Sequence, residues 1–123
     1  MASVKTFRDL VAWQRSMTLV QAVYVATRTM PTSERFGLTD QMRRAAISVP
    51  SNIAEGYGRE SRPELLRFLR IARGSLNELS TQVEIAESLE MLNDVQSLIE
   101  TITETDRILQ GLIRSLEVKT MNR

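Results

Sequence analysis

The chain has 123 residues, 42% of them hydrophobic and 25% charged, with a formal net charge of +1; that is one domain's worth of sequence with enough apolar content to build a core. It has no cysteine and no histidine, which excludes disulfides, a thiolate nucleophile and cysteine-ligated metal, and removes the usual general base and the commonest transition-metal ligand. The near-neutral balance does not announce nucleic acid, yet fourteen of the sixteen basic residues are Arg, a side chain suited to bidentate contact with carboxylates and phosphates.

Residues Met1 to Leu10 lack the basic-then-apolar pattern of a signal peptide. No stretch approaches about 18 uninterrupted apolar residues. A cytoplasmic protein without a membrane segment is expected.

Helix 1 is expected over about 6–30. Leu10, Trp13, Met17, Val20, Tyr24 and Thr27 step by three and four and mark its apolar seam. Thr6 and Asp9 have the spacing of a capping pair, and Pro31 ends the helix. Helix 2 is expected over about 39–57, capped by Thr39, with Asp40 in its first turn and Leu38, Met42, Ala45, Val49 and Ile53 facing the core. Pro50 lies inside this pattern and predicts a kink. Gly56 and Gly58 are read as its stop.

Helix 3 is expected over about 62–91. Ser61 and Glu64 have capping-box spacing with Pro63 in the first turn. Leu65, Leu69, Ala72, Leu76, Leu79, Val83 and Ala86 then alternate by four and three. Helix 4 is expected over about 94–119, with Val95, Leu98, Ile102, Thr105, Leu109, Leu112 and Leu116 as its seam, and a frayed tail from Lys119 to Arg123. Four amphipathic helices with short links predict one all-α domain over 1–123, an antiparallel up-and-down four-helix bundle with a proline-kinked second helix.

Helix 3 has an apolar surplus. Leu65, Leu66, Phe68, Leu69, Ile71 and Ala72 cover roughly 220° of its circumference, where a core-facing helix needs little more than about 100°. The surplus residues Leu66, Phe68 and Ile71 are therefore expected at an interface between copies of the chain. Arg59, Arg62, Arg67, Arg70 and Arg73 surround this region, with Arg43 on helix 2. Cations near a helix N-terminus oppose the macrodipole. Three uses stay open for them: pairing with Glu55, Glu60 and Glu64, pairing across subunits, or meeting phosphate.

Ser48, Asn52 and Glu55 fall on one face of helix 2. With Arg44 and Glu78 they are read as a structural polar network. In it Glu55 accepts from Arg70 or Arg73, and Asn52 satisfies carbonyls freed by Pro50. A lone carboxylate without His, Cys or a second convergent acid is a weak catalytic signal, so no catalytic residue and no cofactor are expected. Gly56 and Gly58 match neither phosphate-loop pattern. Gly74, in mid-helix, predicts close helix approach. The run Glu84, Glu87, Glu90 and Asp94 reads as a solvated face, with no metal expected.

Several segments together resemble one family. They are Phe7 to Trp13, Phe36-Gly37-Leu38, the run from Gln41 to Gly56, and Phe68 to Ser75 with Glu78-Leu79. They are similar to the bacterial four-helix-bundle proteins encoded in intervening sequences of 23S ribosomal RNA genes, often labelled S23 ribosomal protein, over roughly Phe7 to Leu92. The resemblance implies a ring-like homopentamer. A related branch, the accessory variability proteins of diversity-generating retroelements, forms basic pentamers that bind reverse transcriptase and RNA or DNA; this chain differs from it in its near-neutral charge.

The expected function is therefore a non-catalytic, homo-oligomeric scaffold or adaptor. Its expected partner is itself, with RNA or a ribonucleoprotein such as a reverse transcriptase as a further one, and no membrane or small-molecule substrate. The alternative is direct RNA or DNA binding through Arg43, Arg59, Arg62, Arg67, Arg70 and Arg73. An enzyme using Glu55 is the third reading.

Overall fold

The computed structural model describes residues 3–121 and contains four α-helices: α1 (Val11–Thr27), α2 (Leu38–Gly58), α3 (Arg62–Ser88) and α4 (Gln96–Met121). Each packs on the next, α4 returns to α1, and among the described residues neither diagonal pair of backbones comes within 8 Å, Cα to Cα. The product is the antiparallel up-and-down bundle expected from the four apolar seams. No helix of the described residues is long and apolar enough to cross a membrane. Of the tail expected to fray, the backbone to Met121 is helical, and Asn122 and Arg123 lie outside the described residues.

The seams of α2, α3 and α4 form the core much as the periodicity predicts. Met42, Ala45, Val49 and Ile53 are buried on α2, Leu69, Ala72, Leu76, Leu79, Val83 and Ala86 on α3, and Leu98, Ile102, Thr105 and Leu109 on α4, with Val95 buried just before it. Helix α2 runs through Pro50 as one continuous helix with the proline buried.

Helix α1 departs from its predicted face. Its buried line is Ala12, Ser16, Leu19, Val23 and Thr27, not the line through Trp13, Met17 and Tyr24. The small side chains of Ala12 and Ser16 permit close packing. Ser16 Oγ donates to the Trp13 carbonyl at 2.7 Å and Thr27 Oγ1 to the Val23 carbonyl at 2.7 Å, so both hydroxyls are buried without loss. Because α1 is apolar on nearly every side, spacing alone could not choose between these lines.

The helix ends also differ from expectation. The Thr6–Asp9 capping box forms, but it caps a short 3-10 turn, Phe7–Asp9; extended Leu10 (φ −74°, ψ 125°) then separates this turn from α1. Thr39 is not a cap. It is buried inside α2, and Glu34 Oε1 instead accepts from the Leu38 N–H at 3.0 Å. Ser61 accepts from the Glu64 N–H as predicted, while the Glu64 carboxylate turns to Arg67. At the end of α3, Met91 N–H reaches the Ala86 carbonyl at 2.8 Å and Glu90 N–H the Glu87 carbonyl at 3.0 Å. This Schellman arrangement places Glu90 in the left-handed region, φ 59°.

Candidate functional site

Two regions carry chemistry beyond a plain bundle: the arginine-rich junction of α2 and α3, and the flanks of α1. The junction is built around Gly56 and Phe68. A Cβ placed on Gly56 would lie 2.6 Å from Phe68 Cβ and 3.4 Å from Leu65 Cα. The glycine thus serves a close approach of the two helices, and the chain reverses after it through Glu60 at φ 56°. The Phe68 ring carries two guanidinium groups within cation–π range, Arg67 Cζ at 4.5 Å and Arg59 Cζ at 5.1 Å from its centroid. Each cation also has an acid on its own helix: Arg67 Nε to Glu64 Oε2 at 2.8 Å and Arg59 Nη2 to Glu55 Oε1 at 3.1 Å. The hydrogen bond from Arg67 holds the Glu64 carboxyl below its ordinary range.

Within one chain these contacts separate the expected interface residues from one another. Leu66 and Phe68 are each only 6% exposed inside a single chain, whereas Ile71 is 42% exposed. The approach of α2 at Gly56 and the two guanidinium groups over the Phe68 ring cover apolar surface that lies outside the core-facing side of α3. Only Ile71 keeps the exposed position that an interface role requires.

The arginines do not form one anion-binding patch. Arg43 Nε donates to Thr27 Oγ1 at 2.9 Å and its guanidinium lies 4.5 Å from the Tyr24 ring centroid, bracing α2 against α1. It is sixteen residues before Arg59 on α2, about 24 Å at the helical rise. Arg70 pairs with Glu117 and Arg73 with Asp106, at 3.0 Å for the latter, so both tie α3 to α4. Of the six candidates, only Arg62 has no ion pair or ring contact among the described residues.

Of the expected polar set, Ser48 and Asn52 are hydrogen-bonded to each other. Ser48 Oγ and Ser75 Oγ are 2.8 Å apart across α2 and α3, and Asn52 Nδ2 donates to Ser48 Oγ at 2.9 Å and to the Ser48 carbonyl at 2.8 Å. Asn52 therefore serves the carbonyl four residues back, not the Ala46 carbonyl that Pro50 deprives of a donor. Glu55 pairs with Arg59, not with Arg70 or Arg73, and is exposed. Arg44 pairs with Asp40 at 2.9 Å, outside the network, and exposed Glu78 joins no ion pair among the described residues. Sequence reasoning missed Ser75, Asp106 and Glu117, whose partners lie 27, 33 and 47 residues away and leave no local spacing signal.

Gly74 gives no close helix approach. No atom lies within 4 Å of a Cβ placed there. It opens a groove of about 400 Å³ between α3 and α4, lined by Arg70, Arg73, Gln110, Arg114 and Glu117. No group of three or more acids gathers as a metal site among the described residues.

The flanks of α1 are the other region. Toward α2, Trp13, Met17 and Val20 face Ile47, Pro50 and Ala54 across an open, apolar groove of about 320 Å³. Toward α4, Ala22, Val25 and Ala26 face Leu98 across one of about 420 Å³. Val11, Met17, Tyr24 and Val25 are all exposed on this one helix, Met17 at 37%.

The sequence model of a family described as 23S rRNA-intervening sequence protein matches residues 8–111. A crystal structure from Bacteroides thetaiotaomicron, described as a protein with unknown function from the S23 ribosomal protein family, superposes with a TM-score of 0.77 at 22% identity, covering 85% of this chain and 96% of that one. No curated protein matches significantly.

Proposed function

From the premise that the chain belongs to the 23S rRNA-intervening sequence protein family, we propose that it is a non-catalytic, self-assembling helical module, a scaffold or adaptor whose first partner is another copy of itself. The observation that carries this reading is α1. A helix that is apolar around most of its circumference belongs inside a core, yet α1 has neighbours on only two sides and leaves open apolar grooves on both flanks. Exposed apolar surface of this kind marks an interface. Five copies is the number that the family resemblance implies, and it is part of this proposal.

Direct binding of RNA is secondary here, because five of the six candidate arginines spend their guanidinium groups on acids, a hydroxyl or aromatic rings of the same chain. A ribonucleoprotein partner would be met by the assembled module.

Light scattering after size exclusion, at tens of micromolar, tests the proposal. An assembly of several copies is expected. A monomer at that concentration overturns it.

A further inference from the structure

Self-association, the reading on which this inference rests, leaves open which parts of two copies meet. Phe36 is the most exposed of the large hydrophobic residues described, at 82%. It is not on a loose segment. Arg35 N–H bonds to the Thr32 carbonyl at 3.0 Å, Gly37 N–H to the Glu34 carbonyl at 2.9 Å and Gln41 N–H to the Gly37 carbonyl at 3.0 Å, so the α1–α2 connection holds the ring outward in an ordered turn. The Arg35 guanidinium lies over that ring, 4.6 Å from its centroid. Glu34, the nearest acid in sequence, is occupied at the start of α2. The result is an exposed aromatic knob on an ordered turn, beside a cation that joins no ion pair among the described residues.

Four grooves on the same chain could receive such a knob, and their charge discriminates among them. The α3–α4 groove carries Arg70, Arg73 and Arg114, and its one lining acid, Glu117, is already paired with Arg70, which leaves no free carboxylate there for Arg35. The groove beside Gly56 and Gly58 holds Lys5 and Arg62 against Glu60. The α1–α2 groove is apolar with no acid in its lining. The α1–α4 groove alone combines an apolar floor, formed by Ala22, Val25, Ala26 and Leu98, with a lone carboxylate, Asp94. Asp94 joins no ion pair among the described residues. It lies before α4 at φ 52°.

We propose that Phe36 of one copy seats in the α1–α4 groove of a second copy, with Arg35 against Asp94. Aromatic and arginine side chains are the usual anchors of protein interfaces, and a desolvated cation needs its counter-charge. Knob and groove are different surfaces; unless the pair is made reciprocally about a two-fold axis, the contact is heterologous, repeats from copy to copy and closes into a ring when the rotation allows. A ring with an odd number of copies needs a contact of this kind.

The test compares subunit mass and dissociation constant for the full chain and four single variants, with circular dichroism as the check on folding. Phe36→Ser and Val25→Arg change exposed side chains, so both should keep native helicity. Each should raise the dissociation constant at least about tenfold, the scale of losing one buried anchor. Arg35→Asp and Asp94→Arg should each weaken assembly, and the double variant Arg35→Asp/Asp94→Arg should recover most of it. A native chain that assembles while Phe36→Ser assembles equally well overturns this docking and leaves the self-association reading standing. Failure of the double variant to recover assembly overturns the Arg35–Asp94 pairing. A monomeric native chain overturns both readings.

Discussion

Helices α1 and α3 both carry more apolar residues than one bundle face requires, and the bundle treats them differently. On α3 the surplus at Leu66 and Phe68 is absorbed, and only Ile71 of the three stays exposed. Gly56 lets α2 come close enough to cover Leu65 and Phe68, and the flat guanidinium groups of Arg59 and Arg67 lie over what remains of the Phe68 ring. On α1 only Tyr24 has such a cover, the Arg43 guanidinium 4.5 Å from its ring centroid; elsewhere the facing residues of α2 and α4 leave grooves, and Val11, Met17 and Val25 stay exposed. Apolar circumference therefore does not measure exposure. The gap to the neighbouring helix, and whether a long cationic side chain can lie across it, decide which surplus reaches solvent.

The largest expected effect tests the covered side. Phe68→Ala should cost about 3–5 kcal/mol of stability, the range for truncating a buried aromatic, with no change in subunit mass under conditions where the variant is folded. Urea unfolding and light scattering on the same sample report both. A variant of native stability with a smaller assembly would return Phe68 to a subunit interface and erase the contrast with α1.

A pair of glycine substitutions sharpens the contrast further. Gly56→Ala inserts a methyl group 2.6 Å from Phe68 Cβ, and overpacking at such a site costs about 1–3 kcal/mol, against up to about 1 kcal/mol gained from helix propensity. A net loss of stability is expected. Gly74→Ala meets open space and should gain up to about 1 kcal/mol. Opposite signs from these two helical glycines, measured by thermal unfolding, would confirm that only the first marks a close approach. Loss at both would mean that a second copy covers Gly74.

On α1, Met17→Glu changes an exposed residue and should alter stability by less than about 0.5 kcal/mol. Any effect should appear in assembly, as a lower mass at tens of micromolar. Equal loss of stability and assembly would show that α1 is better covered than its exposure indicates.

The seams of α2, α3 and α4 were legible because each repeats one apolar line against polar surroundings. The face of α1 was not, since Ala12, Ser16 and Leu19 compete with Trp13, Met17 and Val20 on nearly equal terms. Gly56 was visible as a helix stop, but its role toward Phe68 needed the α2–α3 distance, which no spacing within either helix encodes. Among the candidate site residues, the arginines near Phe68 were identified as a cluster. Their partners Asp106 and Glu117 came from α4, beyond the reach of local pattern. Exposed Phe36 was visible only as part of the family resemblance, because burial cannot be read from a turn lacking periodicity.

The smallest effects lie at the starts of these two regions, where acid titration separates two causes of the same shift. Backbone N–H groups of Lys5 and Thr6, at 2.8 and 3.1 Å, hold the Asp9 carboxyl below its usual range ahead of α1. On α3 the Glu64 carboxyl is lowered chiefly by its hydrogen bond from Arg67. Both groups bind protons less readily in the folded chain than in the unfolded one. Each therefore contributes stability that is complete above the ordinary carboxylate range and is lost as pH falls through its folded value. Fixed backbone dipoles do not exchange with salt, whereas an exposed ion pair is screened within about 10 Å at moderate ionic strength. Added salt should thus shrink the difference in acid sensitivity between the native chain and Glu64→Gln, and leave the difference made by Asp9→Asn nearly unchanged. Carboxyl chemical shifts followed through the titration at low and high salt give the same comparison residue by residue. Equal salt sensitivity at both sites would mean that the Asp9 shift arises from neighbouring charges and not from the capping geometry before α1.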